Sequence, residues 1–121
     1  MNMLVTREQL EQAIPGSSDR KRIAVTRELN ERMKLGEITS SKRIAAFIAH
    51  FAYDSENLHI LPNIEEYFAK WRKEYCNQLA DIGSFSEIGR RIRPKLEGIE
   101  CRKANWKLCK KVFSDELEKL V

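Results

Sequence analysis

Two acids stand where an apolar run breaks. The stretch "KRIAAFIAHFAYDSENL", Lys42 to Leu58, is apolar for several turns and then presents Tyr53, Asp54, Ser55 and Glu56. A carboxyl group held at the end of a buried helix, partly out of water, keeps its proton to higher pH, as a glycosidase general acid requires. On periodicity alone the favoured reading of the same acids is the polar end of a helix meeting solvent. Other chemistry is scarcer. His50 and His59 lie nine residues apart with no cysteine close in sequence and no CxxC pair anywhere, so neither a metal site nor a cofactor is expected. Cys76, Cys101 and Cys109 are odd in number, and Cys101 and Cys109 fall on one apolar helical stripe. They read as buried small hydrophobes in a reducing compartment rather than as a disulfide framework.

The elements that must position these groups read as helices throughout. Thr6 with Gln9 is a capping-box pair, and Leu10, Ala13 and Ile14 form a short stripe that Pro15-Gly16 ends. A second helix starts near Ser18 or Asp19, with Ile23, Leu29 (Thr26 between them) and Met33 on one face and Gly36 at its end. Ser40 or Ser41 caps a third, whose Ile44, Ala45, Phe47, Ile48, Phe51 and Ala52 are apolar nearly all round; such a helix belongs at the centre of a domain. Asn63 with Glu66, a capping-box pair, opens a further pattern, Ile64, Tyr67, Phe68, Trp71, Tyr75 and Leu79, that runs to Gly83, with 68–83 either continuing that helix or forming one of its own. Ser84 with Glu87 opens another that Pro94 terminates or bends. The last long helix sets Cys101, Ala104, Leu108, Cys109, Val112 and Phe113 against Lys103, Lys107, Lys110 and Lys111, and Ser114-Asp115 begins a short turn. No stretch alternates with period two, so the expected class is all-α.

At 121 residues the chain reads as one helical domain, 1–121. Hydrophobic residues at 42% and charged residues at 33% exclude the disordered class. No run is long and apolar enough to span a membrane. No secretory signal is visible in "MNMLVTREQLEQ", so a cytoplasmic location is expected, with release by lysis left open. The net charge of +4 is uneven: residues 90–111 carry nine basic side chains against Glu97 and Glu100. Arg90, Arg91, Arg93, Lys95, Lys103, Lys107, Lys110 and Lys111 are the candidate basic patch, which fits either a polyanion such as nucleic acid or a solvated helix face.

"ITSSKRIAAFIAHFAYDSENL" resembles a helix of the chitinase-type glycoside hydrolases of family nineteen, including phage endolysins, where the pattern is similar to "INTPLRQAAFLAQIAHESGGF". The preceding 34 residues resemble the two short helices before it. "SFSEIGRRIRPKLEGIECRKANWKLCKKVF" is similar to the closing segment, which leads through "RRINGGLNGLADR" into a final helix. The resemblance covers roughly 1–67 and 84–113. It implies a lysozyme-like helical core of about five to seven helices, but only about sixteen residues, Phe68 to Gly83, stand where the family carries the central lobe of its cleft.

The resemblance puts Asp54 at the position of the family's general acid, the Glu of "HES". Aspartate is one methylene shorter, and a misplacement of about 1 Å can cost on the order of a hundredfold in rate. The second carboxylate, which activates water in these inverting enzymes, falls at Asn63, and an amide cannot accept that proton. Glu65 and Glu66 suit the first turn of a helix better. Tyr53 replaces the family's His, Glu56-Asn57 its two glycines, and Ile92-Arg93-Pro94-Lys95 its "INGG".

The expectation is therefore a degenerate, non-hydrolytic relative reused for binding or inhibition, of a kind frequent in phages. Its ligand is a cell-wall glycan held by Tyr53, Asp54, Asn63 and Tyr67, or a protein anchored on Trp71, Tyr75 and Trp106. Of those three anchors, Trp106 is expected to be the most exposed. Two alternatives stay open: slow glycosidase action by Asp54, and polyanion binding by the 90–111 region.

Overall fold

The structure, a computed structural model, describes residues 3–114; the turn expected from Ser114-Asp115 lies outside them beyond Ser114. Seven helices and no strand occur among the described residues: α1 Arg7–Ala13, α2 Asp19–Leu35, α3 Ser41–Asp54, α4 Ile64–Lys73, α5 Cys76–Asp81, α6 Phe85–Ile92 and α7 Ile99–Val112. None is long and apolar enough to cross a membrane.

Helix starts follow the local chemistry of the chain. The Thr6 hydroxyl accepts from the Gln9 amide at 3.0 Å and Gln9 accepts from the Thr6 amide at 3.0 Å, the full capping box of α1. The side chains of Ser18, Ser40 and Asn63 each accept from the amide three residues on and so cap α2, α3 and α4. Ser84 makes no side-chain capping bond, although its spacing to Glu87 matches a capping box; the Glu87 carboxylate pairs with Arg90 and Arg91 at 3.2 Å each. Pro94 disfavours helical backbone in the residue before it, and Arg93 is extended, so α6 stops at Ile92.

α3 is the axis of the molecule. Nine consecutive residues, Ile44 to Ala52, are buried, as a helix apolar on every side requires. Phe47 lies at the centre of an aromatic cluster, 4.6 Å from Phe68, 5.1 Å from Trp71, 5.6 Å from Phe51 and 5.7 Å from Tyr67 between ring centroids. α7 covers the opposite side of α3 in the most extensive helix pairing of the fold.

Two helix faces need correction, and the segment from Ile64 to Gly83 takes one of its two open readings. The run from Ile64 to Gly83 is two helices, broken at Tyr75, whose backbone is left-handed (φ 57°). The break is fixed by Asn77, which accepts from the Trp71 indole at 2.9 Å and donates to the Gly36 carbonyl at 2.8 Å. On α2 the buried face is Arg22, Val25, Thr26, Leu29, Asn30 and Met33, and Ile23 is exposed. Arg22 is held inside by Ser17, Glu11 and Asp19. On α7 the inward residues are Arg102, Cys109 and Phe113, while Cys101 and Ala104 face out. In each helix a buried arginine turns the face by one residue from the purely apolar reading.

Candidate functional site

The α7 arginine leads to the site. Arg102 is 1% exposed and spends its guanidinium on three partners. Its Nη2 donates to Asp54 Oδ1 at 2.6 Å and its Nη1 to Asp54 Oδ2 at 3.3 Å, a two-pronged pair across the α3–α7 interface. Nη1 also donates to His50 Nδ1 at 3.0 Å, and Nε donates to the Glu97 carbonyl at 2.8 Å. Because His50 Nδ1 accepts from an arginine, the ring proton is on Nε2, which donates to the Phe85 carbonyl at 3.1 Å. Burial pushes the His50 imidazole down to about 4; the Phe85 carbonyl opposes that shift and the charge of Arg102 adds to it.

Asp54 receives two further donors. The Tyr67 hydroxyl donates to Oδ2 at 2.7 Å and Arg93 Nε to Oδ1 at 3.3 Å. Burial holds the Tyr67 phenol well above its ordinary value, and the adjacent Asp54 charge adds to this. Four hydrogen bonds thus converge on a carboxylate whose side chain is 2% exposed. No buried side-chain nitrogen or oxygen among the described residues lacks a partner.

Beside this cluster opens a cleft of about 1000 Å³, between the turn after α3 and the segment leading into α7. Tyr53, Glu56 and Asn57 form one wall; Lys95, Glu97 and Asn105 are on the other. The charges around it balance, Asp54, Glu56 and Glu97 against Arg93, Lys95 and Arg102. The Tyr53 ring carries the Arg102 guanidinium 4.4 Å from its centroid and presses on Gly98, where a Cβ would fall 2.2 Å from Tyr53 Cζ. Only glycine fits there, and Gly98 also has φ +68°.

The turn that forms the first wall is unusual backbone. Glu56, Asn57 and Leu58 all have positive φ, 49°, 58° and 70°. Side-chain-bearing residues hold that conformation only when the surroundings impose it. Leu58 is fully buried, its amide donates to Ser55 Oγ at 3.0 Å, and the Asn57 amide donates to the Ala52 carbonyl at 2.8 Å. His59 Nε2 donates to the Gly16 carbonyl at 3.1 Å, and Asn57 packs so closely on Gly16 that a Cβ there would lie 2.8 Å from its amide nitrogen.

The expected glycan residues divide. Tyr53 and Asp54 are on the large cleft, while Asn63 and Tyr67 line a separate depression of about 260 Å³. Asn63 spends its side-chain oxygen on the Glu66 amide at 2.9 Å. Of the expected anchors, Trp71 is 1% exposed and has no face to offer a partner. Trp106 is half-buried, stacked on Phe85 at 4.6 Å with Lys110 Nζ 3.9 Å over its ring. Tyr75, not Trp106, is the exposed one, at 66%.

The basic patch is thinner than its count. Arg90 and Arg91 pair with Glu87, Arg91 also donates to the Glu74 carbonyl at 3.0 Å, and Arg93 pairs with Asp54. Lys95 is on the cleft wall, and Lys103, Lys107, Lys110 and Lys111 form an exposed stripe along α7. Cys101 is exposed at the cleft, against expectation, because Arg102 takes the inward position. Cys76 and Cys109 are buried, and burial pushes both thiols up to about 12. No group of three His, Cys, Asp or Glu side chains suited to a metal ion occurs among the described residues.

Sequence reasoning missed Arg102 and His50 as site residues. Arg102 lies seven and eleven residues before Cys109 and Phe113, on their helical face, and His50 interrupts a run of buried residues on all sides. Both placements were visible signals of a buried polar pair. Comparison of the chain with protein-family models, with curated proteins and with solved structures finds no match.

Proposed function

We propose that this chain is a non-hydrolytic binding protein, a degenerate relative of the chitinase-type glycosidases of family nineteen, and that the cleft beside Asp54 takes a cell-wall glycan. The observation that carries the reading is the state of Asp54. A general acid must offer a proton to the ligand, and a nucleophile or base must offer a lone pair. Both Asp54 oxygens accept from Arg102, with Arg93 and Tyr67 as further donors, so the carboxylate serves as an internal counter-ion.

Two features support the rest of the reading. Glu56 and Asn57 have the positive φ that glycine adopts without cost, and the resembled pattern has two glycines there. The cleft walls carry balanced charge, amides and an aromatic ring, which suit a neutral, hydroxyl-rich ligand better than a polyanion.

The test is a titration of isotopically labelled protein with a chitin oligosaccharide and a soluble peptidoglycan fragment, followed by NMR. Amide shifts at Tyr53–Asn57 and Glu97–Asn105 without new anomeric signals are the expected result. Unchanged amides at millimolar sugar would remove the glycan reading. New anomeric signals that vanish in Asp54→Asn would replace binding by catalysis.

A further inference from the structure

The large cleft and the smaller depression share one residue. Arg93 belongs to both, and beneath it their floors meet: Asp54 lines the first, Tyr67 lines the second, and the two are hydrogen-bonded at 2.7 Å. Arg93 therefore crosses a surface that would otherwise run from Asn105 past Asp54 to Asn63 and Lys70.

Its hold on that position is slight. Arg93 follows the end of α6 in extended backbone and its side chain is 49% exposed, whereas Arg102 and Tyr67, the other donors to Asp54, are buried. Its contact is a single Nε–Oδ1 bond of 3.3 Å, longer than the 2.7–2.9 Å typical of charge-assisted bonds. Half-exposed ion pairs exchange their partners for water or ligand at little cost. With Arg93 withdrawn, Asp54 keeps two bonds from Arg102 and one from Tyr67.

We infer that Arg93 is a movable bar across one extended binding site, and that it selects ligands long enough to occupy both halves. The inference rests on the glycan-binding reading. A sugar hydroxyl donating to Asp54 Oδ1 takes the place of Arg93 Nε, and the freed guanidinium turns to the ligand's carbonyl and ring oxygens, which are acceptors. A disaccharide fits the large cleft alone and leaves the bar closed. A longer chain gains contacts on both sides, which repay the opening; a site only partly populated in its open form binds more weakly by that fraction.

The experiment uses chitobiose and chitohexaose as probes, with the full chain and its Arg93→Ala variant, and follows backbone amides together with the Arg93 Nε–H signal. In the wild type, the hexamer is expected to shift Asn63–Lys70 as well as Tyr53–Asn57 and to move the Arg93 Nε–H signal. The dimer shifts only Tyr53–Asn57 and leaves Arg93 in place. In Arg93→Ala, the dimer reaches Asn63–Lys70 too. A hexamer that binds with the Arg93 signal unmoved, or a dimer that maps identically on both proteins, overturns the bar while leaving glycan binding intact. Unshifted spectra with both sugars and both proteins overturn the bar together with the glycan reading.

Discussion

Replacing Asp54 by asparagine separates a structural carboxylate from a catalytic one. The substitution keeps the shape and removes the charge. Asparagine has one oxygen to accept with and an NH₂ that only donates. Turned to keep the Arg102 Nη2 bond, which is 2.6 Å in the native pair, it points its NH₂ at the Tyr67 hydroxyl and loses the bond from Arg102 Nη1. Arg102, 1% exposed, is left without its counter-ion, while the half-exposed Arg93 pair contributes at most about 1 kcal/mol. Breaking a buried pair from one side costs about 3–5 kcal/mol, a large share of the roughly 5–15 kcal/mol that holds a domain folded. Thermal unfolding followed by circular dichroism should show the midpoint lowered by on the order of 10–25 °C. Asp54→Leu combined with Arg102→Met should recover part of that loss, because removing both charges leaves no orphan. A catalytic acid behaves in the opposite way: its removal relieves strain and leaves stability unchanged or higher. An Asp54→Asn protein that melts at or above the wild-type temperature would refute the counter-ion role.

His50 sets a pH dependence. Its folded value of about 4 lies below the ordinary 6.5, so the unfolded chain takes up the proton first and stability falls as pH drops from about 6.5 through about 4. Urea unfolding at a series of pH values should show a loss of about 3 kcal/mol across that window, and a flat profile there would contradict a buried neutral imidazole. Glu56→Gly should be neutral or stabilising by up to about 1.5 kcal/mol, since a left-handed residue costs about 1–2 kcal/mol and glycine's extra chain entropy about 0.5–1; a clear loss by chemical denaturation would mean the Glu56 side chain makes contacts that outweigh the strain. Gly98→Ala should cost about 2 kcal/mol or more and shift the Tyr53 ring resonances, because the new methyl falls inside the ring and φ is +68°; unchanged Tyr53 signals would disprove that packing.

Much of the architecture was written in apolar spacing and hydroxyl caps. α1, α3 and the starts of α2 and α4 follow from residues within four positions of each other, where local chemistry decides. The reading failed where a polar side chain is bought into the core by a distant partner. Arg102 turns α7 inward because Asp54 waits 48 residues earlier, and no periodicity of apolar residues contains that fact. The α4–α5 break, one of two readings open in the sequence, likewise depends on a distant partner, since Asn77 bonds to Gly36 across 41 residues. At the site, Tyr53 and Asp54 were legible from the broken helix, but Asn63 and Tyr67 fell in a separate depression. Arg93, which lines both, pairs with Asp54 in another long-range contact, between residues that looked, in sequence, like a patch member and a cleft acid.

The distance between α3 and α7 along the chain also bears on how the protein is made. α3 leaves the ribosome before α7, and its His50 and Asp54 find their arginine only when residue 102 has been synthesised. At about 5–20 residues per second, the gap of 48 residues lasts on the order of 2–10 s. Throughout that interval the central helix presents an uncovered apolar flank that carries two polar groups still dependent on water. Chains that stop short of α7 therefore lack the helix that covers this flank and the arginine that pairs its acid.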